Sequence, residues 1–133
     1  KTVEWRMARV ICLGIDSAGK TALLQHASAA TAGELPRLPP TTPTTGFHVR
    51  CIDVPPDRRL EVWDLGGALT IRPFWPRYVT RETEAVIWVV DAGDAARVEE
   101  SRAALCGLLE REMLLLGLPL LVLLNKADSV TAD

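Results

Sequence analysis

Residues 14–21, GIDSAGKT, place two glycines, a lysine and a threonine at the spacing G-x-x-x-x-G-K-[ST]. Glycines at both ends leave room for backbone N–H groups to wrap a polyphosphate, because no Cβ obstructs the approach. Lys20 can then reach the β and γ oxygens of the ligand, and the Thr21 hydroxyl can bind Mg²⁺. The competing interpretation is a chance match in an ordinary turn between a strand and a helix.

A second stretch with chemical potential is WDLGGALTIR, residues 63–72. Asp64 ends an apolar run, and Gly66 and Gly67 follow it, so the segment can hold a metal through a carboxylate and bring bare backbone up to a phosphate. The next residue, Ala68, offers only a methyl group. These residues alone leave open whether the chain turns a substrate over or only binds it.

A third stretch, NKAD at 125–128, follows an apolar run. The Asp128 carboxylate can accept hydrogen bonds from the ring N–H and the exocyclic amine of guanine together, whereas adenine lacks that pair of donors. A helix cap is the alternative for four such residues, but their combination with the phosphate loop favours a guanine site.

Hydrophobic patterning predicts the elements that carry these stretches. We expect strands over 6–15, 47–54, 60–65, 84–92 and 118–128, the last a buried strand with a polar end, and helices over 20–30 and 94–112. The second and third strands flank a turn and form a hairpin, Asp94 is a candidate N-cap, and Glu99 and Glu100 are assigned to a solvated helix face. This alternation predicts an α/β fold with a mostly parallel sheet, in which ligands bind at the carboxyl ends of the strands.

Composition limits the remaining possibilities. A chain of 133 residues with 48% apolar residues suits a single packed domain, and a net charge of −2 does not favour nucleic acid as a partner. Cys12 and Cys51 lie in apolar runs, which predicts buried, reduced thiols in an intracellular protein. The longest apolar stretch, residues 113–124, is interrupted by a glycine and a proline and is too short to span a membrane.

Together with PTTGF (43–47), IRPFWPRY (71–78) and WVVDAGD (88–94), these motifs resemble the Arf-like branch of the small GTPases in the Ras superfamily. Asp16 inside the loop and Trp63 directly before Asp64 resemble this branch more than the Ras branch. The resemblance implies a P-loop NTPase fold, with an antiparallel β2–β3 hairpin in a mostly parallel sheet. It also implies a molecular switch that binds GTP or GDP with Mg²⁺ and takes part in signalling and vesicle trafficking.

The resemblance further implies roles for individual residues. The nucleotide-binding set is Asp16, Ser17, Ala18, Gly19, Lys20, Thr21, Thr44, Gly67, Asn125, Lys126 and Asp128. The metal set is Thr21, Thr44 and, through water, Asp64. Thr44 would bind Mg²⁺ only in the triphosphate state, and it could instead be an incidental threonine in a threonine-rich loop.

Phe47, Trp63 and Tyr78 match aromatic positions that line the family's effector surface, although ordinary core packing is the alternative. Trp75 is equally compatible with the core and with an interface. The implied partners are effectors, exchange factors and GAP-type proteins, and the implied location is the cytoplasm with peripheral membrane association. That association would depend on an N-terminal helix that the chain does not include.

The sequence departs from the family pattern at Ala68, where the family usually has glutamine. That glutamine orients the attacking water, so we expect very weak or helper-dependent GTP hydrolysis and assign no catalytic residue with confidence. A GTP-binding scaffold without hydrolysis, an ATP-dependent P-loop kinase and a structural protein with a degenerate site remain as alternatives.

Two further departures concern length. The segment between Lys20 and Pro43 is longer than usual and rich in proline and threonine, which predicts an extended switch loop. We also expect residues 1–133 to form a single G domain that is incomplete at its C-terminus, before the last strand and helices.

Overall fold

The computed structural model describes residues 4–31 and 47–126. Five strands, two α-helices and three 3₁₀ segments follow one another in this part of the chain. In order they are β1 (Arg6–Leu13), α1 (Lys20–Thr31), β2 (Phe47–Val54), β3 (Arg58–Leu65), a 3₁₀ helix (Arg72–Tyr78), β4 (Thr83–Asp91), a 3₁₀ turn (Ala95–Arg97), α2 (Val98–Arg111), a second 3₁₀ turn (Met113–Leu115) and β5 (Leu120–Asn125).

The strands form one sheet in the order β2-β3-β1-β4-β5. β2 and β3 pair antiparallel, and the other neighbours pair parallel, which confirms the predicted α/β fold with its hairpin. Cys12 lies opposite Asp64, and Asp91 lies opposite Asn125. The parallel pairing therefore brings the ends of β1, β3, β4 and β5, with the motifs that follow them, to the same edge of the sheet.

The core has two layers because successive side chains of a strand point to opposite faces of the sheet. On the α2 face, one cluster contains Ile11, Leu13, Leu65, Trp75, Val79, Val86, Trp88, Leu108 and Leu115. On the α1 face, the other contains Val10, Cys12, Ala18, Leu24, Val62 and Val89. β1 contributes alternate residues to both clusters, so it is a central strand buried on both sides.

Two tryptophans organise the α2 face. The Trp75 and Trp88 rings meet edge to face with their centroids 5.6 Å apart, a geometry that contributes about 0.5–1.5 kcal/mol beyond area burial. Both indole N–H groups find partners: Trp88 Nε1 donates to Ser101 Oγ at 3.0 Å, and Trp75 Nε1 donates to the Gly66 carbonyl at 2.8 Å. Trp75 thus belongs to the core, and it connects that core to the backbone after Asp64.

The structure corrects the predicted start of the second helix. Asp94 makes no capping hydrogen bond with its side chain; a 3₁₀ turn intervenes, and α2 begins at Val98 after Arg97. Instead, the Asp94 backbone N–H donates to the Asp91 carbonyl within the loop that follows β4. The tight turn therefore delays the helix by one turn relative to the hydrophobic pattern.

Two burial predictions are wrong. Cys12 is buried, but Cys51 is exposed because it points away from the core on β2, which lies at the edge of the sheet. β5 is shorter than predicted and mostly exposed, with Leu120, Leu121, Val122 and Leu124 each more than 40% accessible. Among the described residues β5 pairs only with β4. No helix in that part of the chain is long and apolar enough to cross a bilayer.

Candidate functional site

The phosphate loop connects the buried end of β1 to the start of α1. Ser17 and Gly19 adopt the left-handed region, with φ of 65° and 85°. A Cβ on Gly19 would lie 2.4 Å from Asn125 Nδ2, so a side chain there would collide with a residue more than one hundred positions away in sequence. The tight turn and its close neighbour both require glycine at this position.

Lys20, Thr21 and Asp64 converge at the mouth of this loop, as the sequence predicts. Lys20 Nζ lies 3.1 Å from Asp64 Oδ1, and Thr21 Oγ1 donates to Asp64 Oδ2 at 2.6 Å. Both Lys20 and Asp64 are buried, with Asp64 fully inaccessible. A buried carboxylate without a compensating charge is costly, and the lysine provides that charge.

The same donor set fits a magnesium ion. Asp64 Oδ1 is buried and accepts no hydrogen bond of good geometry, although the Lys20 ammonium is close enough for an ion pair. The Lys20 ammonium therefore compensates the Asp64 charge as an ion pair, because charge attraction tolerates poor angles. A hard cation prefers one or two protein oxygens together with water and phosphate oxygens, and Thr21 and Asp64 supply such oxygens.

Gly67 packs against the phosphate loop with no space for a side chain. A Cβ there would lie 2.4 Å from the Gly14 carbonyl oxygen and 2.6 Å from the Asp16 nitrogen. The Gly67 carbonyl accepts a hydrogen bond from the Asp16 N–H at 3.0 Å. Gly67 therefore lies directly beside the phosphate loop, and its contact with a γ-phosphate stays a prediction.

The polar end of β5 supports the phosphate loop from one side. Asn125 Nδ2 donates to the Ala18 carbonyl at 3.0 Å, and Lys126 Nζ donates to the Ser17 carbonyl at the same distance. Lys126 also donates to Asp91 Oδ2 at 3.1 Å, and this hydrogen bond is the main cause of a lowered pKa for Asp91. The predicted roles of Thr44 and Asp128 lie outside the described residues.

A cluster of four charged side chains supports the loop from the other side. Arg97 donates to the Asp16 carboxylate at 2.7 Å and to the Asp16 carbonyl at 3.0 Å. Arg72 donates to the same carboxylate at 3.1 Å and to the Gly67 carbonyl at 2.9 Å. Glu100 accepts from both arginines. We call Asp16, Arg72, Arg97 and Glu100 the charge cluster.

These contacts shift the acidities of the cluster. The hydrogen bond from Arg97 is the largest cause of lowered pKa values for both Asp16 and Glu100. The pKa of Arg97 is raised, first by its hydrogen bond to Glu100 and then by that to Asp16. The Asp16 and Glu100 carboxylates are thus ionised at neutral pH.

The sequence did not predict the charge cluster. The assignment of Glu100 to a solvated helix face is wrong, because its carboxylate binds two arginines from different segments, whereas Glu99 pairs only locally, with Arg102. Helical spacing reveals a pair three residues apart, such as Arg97 and Glu100. It cannot reveal that Asp16, which lies 56 positions before Arg72 and 81 positions before Arg97, completes the cluster.

Comparison with known proteins identifies the family. The family model described as the ADP-ribosylation factor family matches residues 1–133. The chain belongs to the ADP-ribosylation factor family. The predicted resemblance is therefore confirmed.

Individual relatives within the ADP-ribosylation factor family agree. ADP-ribosylation factor-like protein 3 of Caenorhabditis elegans is 38% identical over 132 residues, which cover 99% of this chain and 67% of that protein. ADP-ribosylation factor-like protein alp41 of Schizosaccharomyces pombe is 43% identical over 123 residues, which cover 92% of this chain and 61% of that protein. The chain thus spans about two thirds of the length of these curated relatives, or less.

A solved structure confirms the fold of a small GTPase. The Arl6 BBS3 small GTPase from Trypanosoma brucei, with bound nucleotide analogue GppNp, superposes with a TM-score of 0.74 at 26% identity. The match covers 96% of this chain and 72% of that one.

The aromatic residues that the Arf-family resemblance assigns to an effector surface form one cluster. The Phe47 ring stacks on Trp63 at 5.2 Å and meets Tyr78 at 5.1 Å. Phe47 is 44% exposed, while Trp63 and Tyr78 are half-buried. The Arg9 guanidinium lies 5.0 Å from the Trp63 ring centroid. The cluster is thus accessible at its edge, and its role in partner binding stays a prediction.

Ala68, where the Arf-family resemblance leads us to expect glutamine, begins a turn. Its carbonyl accepts hydrogen bonds from the N–H groups of Ile71 at 2.8 Å and Arg72 at 3.1 Å, which starts the 3₁₀ helix. The backbone of Ala68 is thus committed to local structure, and its side chain contributes no polar atom.

Cys12 lies beneath the site. Burial is the largest cause that raises the pKa of its thiol to about 12, and the negative charge of Asp64 adds to it. The thiol therefore stays protonated at neutral pH, and it packs as a small apolar group in the core on the α1 face.

Proposed function

We propose that the protein is a guanine-nucleotide-binding switch of the Arf-like type that holds GTP or GDP together with Mg²⁺. One observation carries the proposal: Lys20, Thr21 and Asp64 converge within 3.1 Å at a phosphate loop that Asn125 supports from the side. Each of these residue types has a defined task toward a magnesium nucleotide. A structural protein with a degenerate site would have no reason to keep all of them.

Guanine is favoured over adenine by the predicted role of Asp128. Asn125 and Lys126 donate to the Ala18 and Ser17 carbonyls, so the end of β5 lies beside the phosphate loop. Asp128, two residues further on, would then read the base edge. The GppNp-bound Arl6 BBS3 structure supports the same ligand class.

Binding would rearrange the Lys20–Asp64 pair. Phosphate oxygens would attract the Lys20 ammonium, and the Asp64 carboxylate would then turn its charge toward the cation and its water. Thr21 would bind the ion directly. Magnesium supplies charge neutralisation between phosphate oxygens; the protein residues hold its position and that of the ligand.

The nucleotide-binding proposal is tested by competition. Labelled GTP is displaced by unlabelled GTP, GDP or ATP in buffer containing Mg²⁺, and we expect GTP and GDP to compete while ATP does not. Lys20→Gln should abolish binding, whereas Arg77→Gln, at an exposed position on the 3₁₀ helix, should leave it unchanged. Equal displacement by ATP would favour the kinase alternative.

We further propose that intrinsic hydrolysis is very slow because Ala68 has no polar atom to orient water. In single-turnover cleavage, Ala68→Gln should accelerate the wild-type rate by on the order of tenfold or more, since a positioned polar group contributes about 10²-fold in comparable sites. Leu69→Gln is the matched control, because Leu69 is the next residue and is 71% exposed.

Two other outcomes distinguish the alternatives. Wild-type protein that cleaves GTP as fast as the Ala68→Gln variant would refute the role given to Ala68. Bound GTP that remains intact in both proteins would favour a GTP-binding scaffold that is reset by exchange of nucleotide.

The aromatic cluster is the proposed surface for effectors. Phe47 begins β2 and Trp63 lies one residue before Asp64, so both positions adjoin segments that we propose contact the ligand. Nucleotide-dependent movement of either segment would change the stack. Phe47→Ala should weaken capture of GTP-state partners without changing nucleotide affinity.

A further inference from the structure

Arg72 connects two parts of the nucleotide site. Its Nε donates to the Gly67 carbonyl at 2.9 Å, and one terminal nitrogen donates to Asp16 Oδ1 at 3.1 Å. Its side chain is only 13% exposed, although its neighbours Pro73 and Phe74 are exposed. The guanidinium is therefore directed inward, across the gap between the phosphate loop and the segment after Asp64.

Arg97 contacts the same carboxylate but makes a different connection. It joins Asp16 to the start of α2 and, within the described part of the chain, donates no hydrogen bond to residues 64–68. Glu100 joins the two arginines, at 2.7 Å from Arg72 and 2.8 Å from Arg97. Arg97 thus holds the phosphate loop itself, and Arg72 holds Gly67 against that loop.

The direction of the Gly67 amide is fixed by neighbouring contacts. The Gly66 carbonyl, in the same peptide unit, accepts from Trp75 Nε1 at 2.8 Å. In a trans peptide the N–H points opposite to the C=O, so Trp75 sets the direction of the Gly67 N–H. The next carbonyl, that of Gly67, is held by Arg72 and by the Asp16 N–H. Together these bonds leave the amide little freedom.

We infer that Arg72 is a positioning residue that makes the site sensitive to the third phosphate of the nucleotide. The inference rests on the proposed function. A diphosphate would be held by the phosphate loop and Lys20, on the side that Arg97 supports. A third phosphate would also need the Gly67 amide, whose position depends on Arg72. Arg72 therefore strengthens binding of the triphosphate more than binding of the diphosphate, whereas Arg97 supports binding of both.

The test compares equilibrium binding of GDP and of the non-hydrolysable analogue GppNp, with Mg²⁺, across single variants. We expect R72Q to raise the Kd for GppNp by about tenfold and that for GDP by less than about threefold, because Gly67 loses its bond from Arg72 while Asp16 keeps its bonds from Arg97. R97Q should weaken both nucleotides by similar factors. R72K, which keeps the charge but loses the planar fork, should have an intermediate effect.

Two arginines serve as matched controls. Arg77 lies on the same 3₁₀ helix and stacks on the Phe74 ring at 4.9 Å, and Arg102 lies on α2 and pairs with Glu99. R77Q and R102Q should leave both affinities and their ratio unchanged. Thermal melting shows whether a change in the ratio of the two Kd values comes with a general loss of structure. R72K replaces R72Q in the comparison if R72Q does not fold.

The inference would be overturned if R72Q and R72K raised the Kd values for both nucleotides by the same factor, or raised neither, while the wild type still binds both. Wild-type protein that binds neither nucleotide would overturn the proposed function itself, and the inference with it. The two failures are therefore distinguishable in the same experiment.

Discussion

Gly67 occupies a position where a single added carbon would collide with three backbone atoms of the phosphate loop. The nearest is the Gly14 carbonyl oxygen at 2.4 Å, and backbone cannot move aside as a flexible side chain can. The residue therefore sets how close the segment after Asp64 comes to the ligand.

We predict that Gly67→Ala lowers the free energy of unfolding by about 1–3 kcal/mol and weakens GppNp binding more than GDP binding. Gly107→Ala is the control, because its nearest contact would be Arg111 Nη2 at 3.6 Å within α2, and alanine there should stabilise the helix by about 0.5–1 kcal/mol. Chemical denaturation measures both values. Equal effects of the two substitutions would contradict the role of Gly67.

Sequence could single out residues of the site where a motif carries both the residue and its reason. Lys20 and Thr21 come from one motif and Asp64 from another, and the structure brings the three within hydrogen-bond distance, while their roles toward phosphate and Mg²⁺ stay predictions. Arg72 and Arg97 were not assigned a role, because the sequence alone does not distinguish an exposed arginine from one that contacts distant segments. Their function follows only from the approach of three distant segments.

At the scale of elements, the phosphate loop is held from two sides. β5 supports it through Asn125 and Lys126, and the start of α2 supports it through Arg97. Many of these bonds end on carbonyl oxygens of the loop, so they consume none of the amides that a phosphate would need. Two loop amides have other partners, because the Asp16 N–H donates to the Gly67 carbonyl at 3.0 Å and the Ala18 N–H donates to the Ile15 carbonyl at 3.3 Å.

The charge cluster predicts a pH dependence. Asp16 and Glu100 have pKa values lowered from 3.8 and 4.5, so their contribution to stability is present above those values and is lost as pH falls through the folded pKa. R97Q should melt below the wild type by a constant margin between about pH 5 and pH 8, and this margin should narrow below about pH 4. Thermal unfolding across that range measures it.

The expected effect is modest, because Asp16 and Glu100 side chains are 40% and 38% exposed and solvent screens their charges. R77Q provides the comparison, since Arg77 stacks on Phe74 and its effect should not change with pH. A margin for R97Q that stays constant to pH 3 would show that the arginine acts through packing instead.

The hydrophobic pattern predicted element boundaries correctly where an apolar or alternating run was uninterrupted, and incorrectly where a local turn intervened. β1, β2 and β4 lie close to their predicted ranges, because each is an uninterrupted apolar or alternating run. The start of α2 was placed too early, because the 3₁₀ turn Ala95–Arg97 consists of alanine and arginine, which also suit a first helical turn. β5 was predicted as buried from its leucines, but burial depends on neighbours that a strand's own sequence does not specify.

At the scale of the molecule, the sheet order places the site and the core on the same strands. β1 and β3 carry the phosphate loop and Asp64 at their ends, and their buried residues form both core clusters. The order β2-β3-β1-β4-β5 was not predicted strand by strand. Only the α/β class and the hairpin followed from the pattern, because pairing between distant strands is not encoded locally.

The burial of Cys12 makes its thiol a probe of local opening beneath the phosphate site. Cys12 is fully buried in the core on the α1 face and has a thiol pKa raised to about 12, so a thiol-specific reagent can modify it only after that face of the core opens. With Cys51 and Cys106 replaced by serine, the labelling rate of the remaining thiol would time spontaneous openings beneath the phosphate site. GDP should slow the labelling rate as more of the protein becomes bound. A labelling rate that does not change with GDP would show that the core opens independently of the nucleotide site.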